Sequence, residues 1–349
     1  MLILHRYILK RFFPPLFYCL LLFTSLYIIV DLFDNIDEII KQRWTLAFLL
    51  IHYLNHLPLI LTRITPLSAL LASLYCIGGL ERTNEITPIK SAGISFIKII
   101  TPLIIAGVIL SLLVFIINEK LVPSTVNPLP EKKEVLNDLT LYGSKNRIFY
   151  IREYNIKKNL AKDIIIFVQD KDKNIRQKII AQEARWENGK WVFFNLLISN
   201  LNPEGERIGE PQKYQQRIIN IEEKPLDFLE SARRVEFISS RELRKMIKRL
   251  VSANYKPYRE LTDWHYKLSF PWINLVTILL GISFGIATKG RGGIFVKIGV
   301  CLFLGLTYYG LLSITLALGK AGILFPFLSA WLPHLIFLFI SFSIIRVNL

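Results

Sequence analysis

A chain of 349 residues that is 52% hydrophobic and only 20% charged is too apolar to be one large soluble globule. Its 43 basic and 27 acidic residues leave a formal charge of +16, which suits an anionic partner or a positive-inside bias; no nucleic-acid reading module accompanies it. The apolar residues crowd into the two ends and the charged ones into the middle, from about 120 to 263, so membrane segments are expected to flank a water-soluble domain.

In chain order, the first apolar run covers 12–30, long enough to cross a bilayer and too long for a cleavable signal core. Pro14 and Pro15 fall in its first turn, where a missing N–H costs little. Arg6, Lys10 and Arg11 precede this run, and Asp31, Asp34, Asp37 and Glu38 follow it, which places the N-terminus on the cytoplasmic side. The stretch 45–80 exceeds one straight span. Pro58 and Pro66 predict its division into an interfacial piece near 46–57 and a true span ending at Gly78-Gly79. A third span is predicted over 97–117.

After Pro123, Pro128 and Pro130 the pattern changes to short strands: RIFYIR (147–152), DIIIFVQ (163–169), WVFFNLLIS (191–199) and YQQRIINI (214–221). Asn188-Gly189 is a hairpin turn of the type that needs positive φ. Strands at this spacing suggest a β-sandwich or jelly roll. Ser239 to Glu242 then reads as a capping box, opening a helix with Leu243, Met246, Ile247, Leu250 and Val251 on one face. The other face holds Arg241, Arg244, Lys245, Lys248 and Arg249. That helix is either a solvated connector packed on a surface or a contact for acidic lipid headgroups. Spans over 268–287, 298–318 and 325–345 complete the chain. Three spans on each side of the β-domain put both termini on the cytoplasmic side and the domain outside.

Catalytic signals are few. No G-x-x-x-x-G-K-[ST] occurs, so the chain is not expected to hydrolyse ATP. Lys289-Gly290-Arg291-Gly292-Gly293 joins two spans and reads as a turn. His52 and His56 have a chelating i, i+4 spacing but no evident third ligand. Cys19, Cys76 and Cys301 all lie in apolar runs, so no disulfide framework or thiolate metal site is expected. No metal and no directly bound cofactor are expected.

The segment 78–95, between the second and third spans, is the most informative. It is short, polar and cytoplasmic by the topology above. Either it is an ordinary loop, or it is where a transporter without its own ATPase receives force, with Glu85 pairing to a basic residue on a partner. Here L-E-R-T-N-E-I-T-P-I-K-S-A-G-I-S (80–95), R-Y-I-L-K-R-F (6–12), R-E-L-R-K-M-I-K-R-L (241–250) and Y-K-L-S-F-P-W (266–272) resemble the LptF/LptG permeases of the lipopolysaccharide-export ABC transporter. The likeness covers nearly the whole chain and leans toward the G-type subunit.

The resemblance implies a membrane α-helical bundle of six transmembrane helices, 3 + 3, with an inserted periplasmic β-jellyroll, in the bacterial inner membrane. The expected layout is 1–120 for the first three spans with a coupling helix near 79–92, 121–238 for the β-domain, 239–265 for the connector helix and linker, and 266–349 for the last three spans. It implies that the coupling helix docks on a cytoplasmic ATPase dimer, which binds the ATP-Mg, with Glu85 as the contact and Arg82, Asn84 and Ile86 beside it. It also implies a homologous F-type permease, periplasmic jellyroll bridge proteins, a single-span membrane partner and lipopolysaccharide as cargo. In some members basic residues near the outer end of the first span contact substrate phosphates. This chain has Asp31 and Asp34 there, with Lys41 and Arg43 slightly further along. Arg63, in the second span, either snorkels or forms an ion pair, or else meets a lipid phosphate bidentately. The rival is a four-span mechanotransmitter or a membrane scaffold with a sensing domain, and span count separates the two.

Overall fold

The computed structural model describes residues 2–41, 43–125, 135–144, 146–170, 174–187, 189–202, 206–225, 227–228, 237–252, 255–287 and 294–347. They form two compact units, Met1–Val126 with Tyr258–Leu349 and Asn127–Pro257.

The helical unit contains α1 (Leu2–Asp34), α2 (Ile36–Lys41), α3 (Leu46–Arg82), α4 (Ile86–Ser91) and α5 (Phe96–Ile116), the last continued by a π-turn and the short α6 (Val122–Thr125). After the other unit come α8 (Tyr258–Ser269), α9 (Ile273–Ala287), α10 (Ile294–Lys320) and α11 (Pro326–Val347). Among the described residues six helical stretches are long and apolar enough to cross a membrane: Ile3–Asp34, Leu46–Arg82, Phe96–Thr125, Tyr258–Ala287, Leu302–Lys320 and Pro326–Val347.

Two of them depart from the expectation. The stretch 46–82 is one continuous helix of 37 residues, undivided at Pro58 or Pro66. Each proline removes one N–H, whereas a break would strand several backbone groups in apolar surroundings. Its length, about 55 Å, far exceeds a hydrocarbon core of about 30 Å. Its buried residues begin only at Ile60, so the expected interfacial piece is the exposed end of that same helix. The fourth span starts at Tyr258, ten residues early, because α8 buries Thr262, Asp263 and Ser269, and Asp263 pairs with Lys320 Nζ at 2.7 Å.

Packing within this unit rests on small residues. A Cβ on Gly281 would overlap Ser73 Oγ and the Leu70 carbonyl, and one on Gly285 would press on Ile77. Gly281 and Gly285 thus form a G-x-x-x-G contact by which α9 lies directly against α3. Between α8 and α9, Phe270–Trp272 is a 3-10 turn around Pro271. His334 of α11 donates from Nε2 to the Ser269 carbonyl there at 3.0 Å, so an imidazole satisfies an acceptor at the irregular turn.

The second unit is one six-stranded antiparallel sheet in meander order: β1 (Val135–Gly143), β2 (Arg147–Asn155), β3 (Leu160–Gln169), β4 (Ile175–Glu187), β5 (Lys190–Leu201) and β6 (Arg207–Ile219). Four of the strands match the expected ones; β1 and β4 were not anticipated. Glu187 pairs with Lys190 across the two-residue turn, where Gly189 has φ 77°. Asn188 lies outside the described residues. One face carries the core, including Phe149, Ile151, Tyr154, Ile164, Ile166, Trp191 and Phe193. The segment after β6 folds over that face. Trp191 Nε1 donates to the Glu223 carbonyl at 2.8 Å, and the buried Phe228 ring makes edge contacts with Phe149 and Trp191.

The inward–outward alternation slips by one at a single level of this sheet. Leu139, Ile151, Ile164, Ala181 and Leu196 face the core. Beside them come two successive residues that do not: 137–138, 152–153, 162–163, 182–183 and 194–195. Strand pairing keeps its register across the slip. Asp138, Arg152, Asp163, Gln182, Asn195 and Gln215 therefore stand in one polar row across all six strands. Asp138, Asp163 and Asn195 have φ of 55°, 49° and 51°, a left-handed conformation that Asp and Asn tolerate best among residues with a side chain. The strands are kinked at a common level, which creases the sheet.

The helix α7 (Ser240–Ser252) belongs to this unit. The capping box forms, with Ser239 Oγ accepting from Glu242 N at 3.2 Å and Ser239 N donating to Glu242 Oε2 at 3.0 Å. Leu243, Ile247 and Leu250 are buried, while Arg241, Arg244, Lys245 and Lys248 are exposed.

Candidate functional site: the connection between the second and third spans

The segment between α3 and α5 is a tight, ordered turn. Glu85 N bonds back to the Leu80 carbonyl at 2.9 Å, and Asn84 takes a left-handed φ of 54°. Glu85 heads the short helix α4. The next residue, Ile86, is 5% exposed and joins Leu80, Phe96, Ile8 and Phe12 in one apolar cluster. Packing of Ile86 thus fixes where the Glu85 carboxylate points.

That carboxylate is held by three donors. Arg11 Nη2 reaches Oε1 at 2.8 Å, Thr83 Oγ1 donates to Oε1 at 2.6 Å, and Tyr7 Oη donates to Oε2 at 2.6 Å. The Arg11 guanidinium also lies over the Tyr7 ring at 4.7 Å. Partial burial opposes ionisation of Glu85. The hydrogen bonds from Thr83, Tyr7 and Arg11, with the Arg11 charge, outweigh it and hold the carboxyl below its ordinary pKa. It is an anion at neutral pH, and 28% of the side chain stays open.

Around it Arg82, Asn84, Thr87, Pro88 and Lys90 are exposed. Of the four residues expected to act here, Arg82 and Asn84 therefore face outward, Glu85 is half-buried, and Ile86 is core. Chemically the segment can offer hydrogen bonds and charge to a docked surface.

The residues expected to meet lipid phosphate lie elsewhere in the helical unit. Lys41 ends α2, Arg43 follows it with φ 50°, and both are exposed. Arg63 projects from α3 as an exposed side chain between the buried Thr62 and Ile64. At this end Tyr53 Oη donates to Asp31 Oδ2 at 3.0 Å, joining α3 to the end of α1. The His52 and His56 rings sit 4.2 Å apart. His56 Nδ1 bonds the His52 carbonyl at 2.9 Å and so carries the proton. Among the described residues no cluster of three or more His, Cys, Asp or Glu could hold a metal. The turn at 289–293 lies outside the described residues.

The family model for the lipopolysaccharide export system permease LptF/LptG matches residues 6–347. The chain belongs to this family. No curated protein matches it. Family membership makes the chain a transport permease subunit of the lipopolysaccharide export complex, not itself an ATPase, and a multi-pass protein of the inner membrane. The apolar helices and the inserted antiparallel sheet are the body of such a permease.

Sequence reading placed Glu85 in the segment but missed the residues that grip it. Arg11 counted as one of three basic residues flanking a span and, with Tyr7, as part of the R-Y-I-L-K-R-F phrase, but neither as a partner of Glu85. Their separation from Glu85, 74 and 78 positions, leaves no local signal. The available hint was a carboxylate, Glu85, set beside an apolar residue in a polar segment.

Proposed function

We propose that this chain is the G-type permease of the exporter. It pairs with a homologous F-type permease and is driven by a cytoplasmic ATPase dimer that binds the ATP-Mg. Both termini and the 79–92 segment lie on the cytoplasmic side, and the β-domain is periplasmic. It hands lipid to a bridge of jellyroll proteins joined through a single-span membrane partner. The observation that carries the reading is the outward-facing segment of Arg82, Asn84, Thr87, Pro88 and Lys90, fixed beside an anionic Glu85, in a chain of the permease family. Six candidate spans also favour the exporter over a four-span mechanotransmitter.

In this mechanism the two permeases enclose a cavity open sideways to the outer leaflet. The first and fifth spans supply apolar walls for acyl chains. Arg63, Lys41 and Arg43 supply cations for phosphates, and closure moves the lipid toward the β-domain. Glu85→Lys tests the docking: copurified ATPase and lipid export should both fall while membrane insertion persists. Wild-type association by that variant overturns the docking assignment. Impermeant labelling of cysteines placed at Lys10 and Lys190 of intact cells tests the orientation, with reaction expected only at 190. Arg63→Ala should reduce lipid crosslinking by about one to two decades in affinity, with Arg63→Lys recovering part. Unchanged crosslinking with a lowered Tm would assign Arg63 to structure.

A further inference from the structure

The helix α1 is fastened to its own unit at one end. Its buried residues are Ile8, Phe12 and Leu16, one per turn along a single face, and no residue beyond Leu16 is buried. From Phe17 to Asp34 exposed side chains alternate in pairs with partly buried ones, and on the open face Leu22 is 65% and Phe33 66% exposed. Among the described residues nothing in the unit covers the exposed face, and the Tyr53–Asp31 hydrogen bond is a polar tie at the far end. At the fastened end, Ile8 and Phe12 share an apolar cluster with Leu80 and Ile86. Tyr7 and Arg11, on the adjoining face, close on the Glu85 carboxylate.

We propose that Tyr7 and Arg11 are positioning residues that join the first span to the coupling segment, so that displacement of that segment moves α1 before any other span. A carboxylate offers about four acceptor sites. Arg11, Thr83 and Tyr7 use three, which leaves Glu85 able to take one donor from a docked partner without releasing α1. Stacking of Arg11 on Tyr7 holds the guanidinium in place before docking, so little side-chain freedom is lost when load arrives. The weakly held outer half of α1 then follows its base.

The inference rests on the docking role proposed for the segment, and the test separates the two. The full transporter, with both permeases and the ATPase, is reconstituted in lipid vesicles as wild type, Arg11→Ala, Arg11→Lys and Tyr7→Phe. Copurified ATPase, ATP turnover and lipopolysaccharide released per ATP are measured for each. Arg11→Ala is expected to retain the ATPase subunit and to lower lipid released per ATP by roughly tenfold, the loss of one charge-assisted contact. Arg11→Lys should recover about half of that loss on a logarithmic scale, since charge returns without the planar fork. Tyr7→Phe should lower the ratio about threefold, and it carries the test alone if Arg11→Ala fails to accumulate. A wild-type lipid-to-ATP ratio in Arg11→Ala, or in Tyr7→Phe where only that variant accumulates, overturns the joint. Loss of the ATPase subunit from Arg11→Ala, unrestored by lysine, overturns it as well and makes Arg11 part of the docking face. Failure of the docking role itself appears separately, as intact assembly in Glu85→Lys.

Discussion

The two units of this chain sort their side chains in opposite senses. In the sheet unit the interior is Phe149, Ile164, Trp191 and Phe228, and the outward row is Asp138, Arg152, Asp163 and Gln182. In the helical unit the interior includes Ser73, Asn274, Ser283 and His334, all at most 2% exposed, while Phe17, Leu22, Phe303 and Phe339 face out. Water drives apolar groups inward in the first case. In lipid that drive vanishes, and helices associate through close packing of small residues and hydrogen bonds. One chain thus carries two solvents' rules, switching near 126 and 257.

If the contrast is sound, the largest effects should come from apolar truncation in the sheet and from small-residue enlargement in the bundle. Phe228→Ala should destabilise the sheet unit by about 3–5 kcal/mol. Denaturation followed by Trp191 fluorescence checks this, and a change below about 1 kcal/mol would remove Phe228 from the core. Gly281→Leu should cost about 1–3 kcal/mol or more by forcing α9 from α3. It should appear as a lowered Tm of the detergent-solubilised permease, with the sheet's denaturation unaltered.

A smaller, pH-dependent effect belongs to the sheet alone. Burial pushes the Tyr154 hydroxyl up to about 12 from an ordinary 10.0. Its neutral form is favoured in the folded state, so the stability is intact below pH 10 and is lost as pH rises through 12. The loss should total about 2–3 kcal/mol, and Tyr154→Phe should flatten the dependence. For Glu85 the sign is reversed: its folded pKa is depressed, so its ties to α1 persist at neutral pH and are lost only as pH falls through that value. The smallest expected effect is in Phe17→Ala, an outward residue of α1, which should shift stability in detergent by under about 0.5 kcal/mol.

The length of the apolar runs made the spans legible, and the β-branched clusters revealed four strands. The rest was hidden for specific reasons. Arg176, Lys178, Glu183 and Arg185 gave β4 a polar cast, because its outer face meets water and its alternation slips at 182–183. Prolines 58 and 66 pointed to a break that the surroundings of α3 make more costly than the missing hydrogen bonds. Glu85 was legible as a residue but not as a contact, since nothing near it in sequence forecasts Tyr7 and Arg11.

The crease has a consequence for the open edges of the sheet. Its left-handed residues belong to β1, β3 and β5, while Arg152, Gln182 and Gln215 on the even strands keep ordinary backbone. The outer strands β1 and β6 are therefore unlike. A strand laid against β6 would stand where an odd strand belongs and would need Asn, Asp or Gly level with Gln215. One laid against β1 would need no such residue. Two copies meeting β6 to β1 keep the alternation, whereas β1 to β1 or β6 to β6 sets like strands side by side. A backbone angle repeated on every second strand thus gives the sheet a head and a tail.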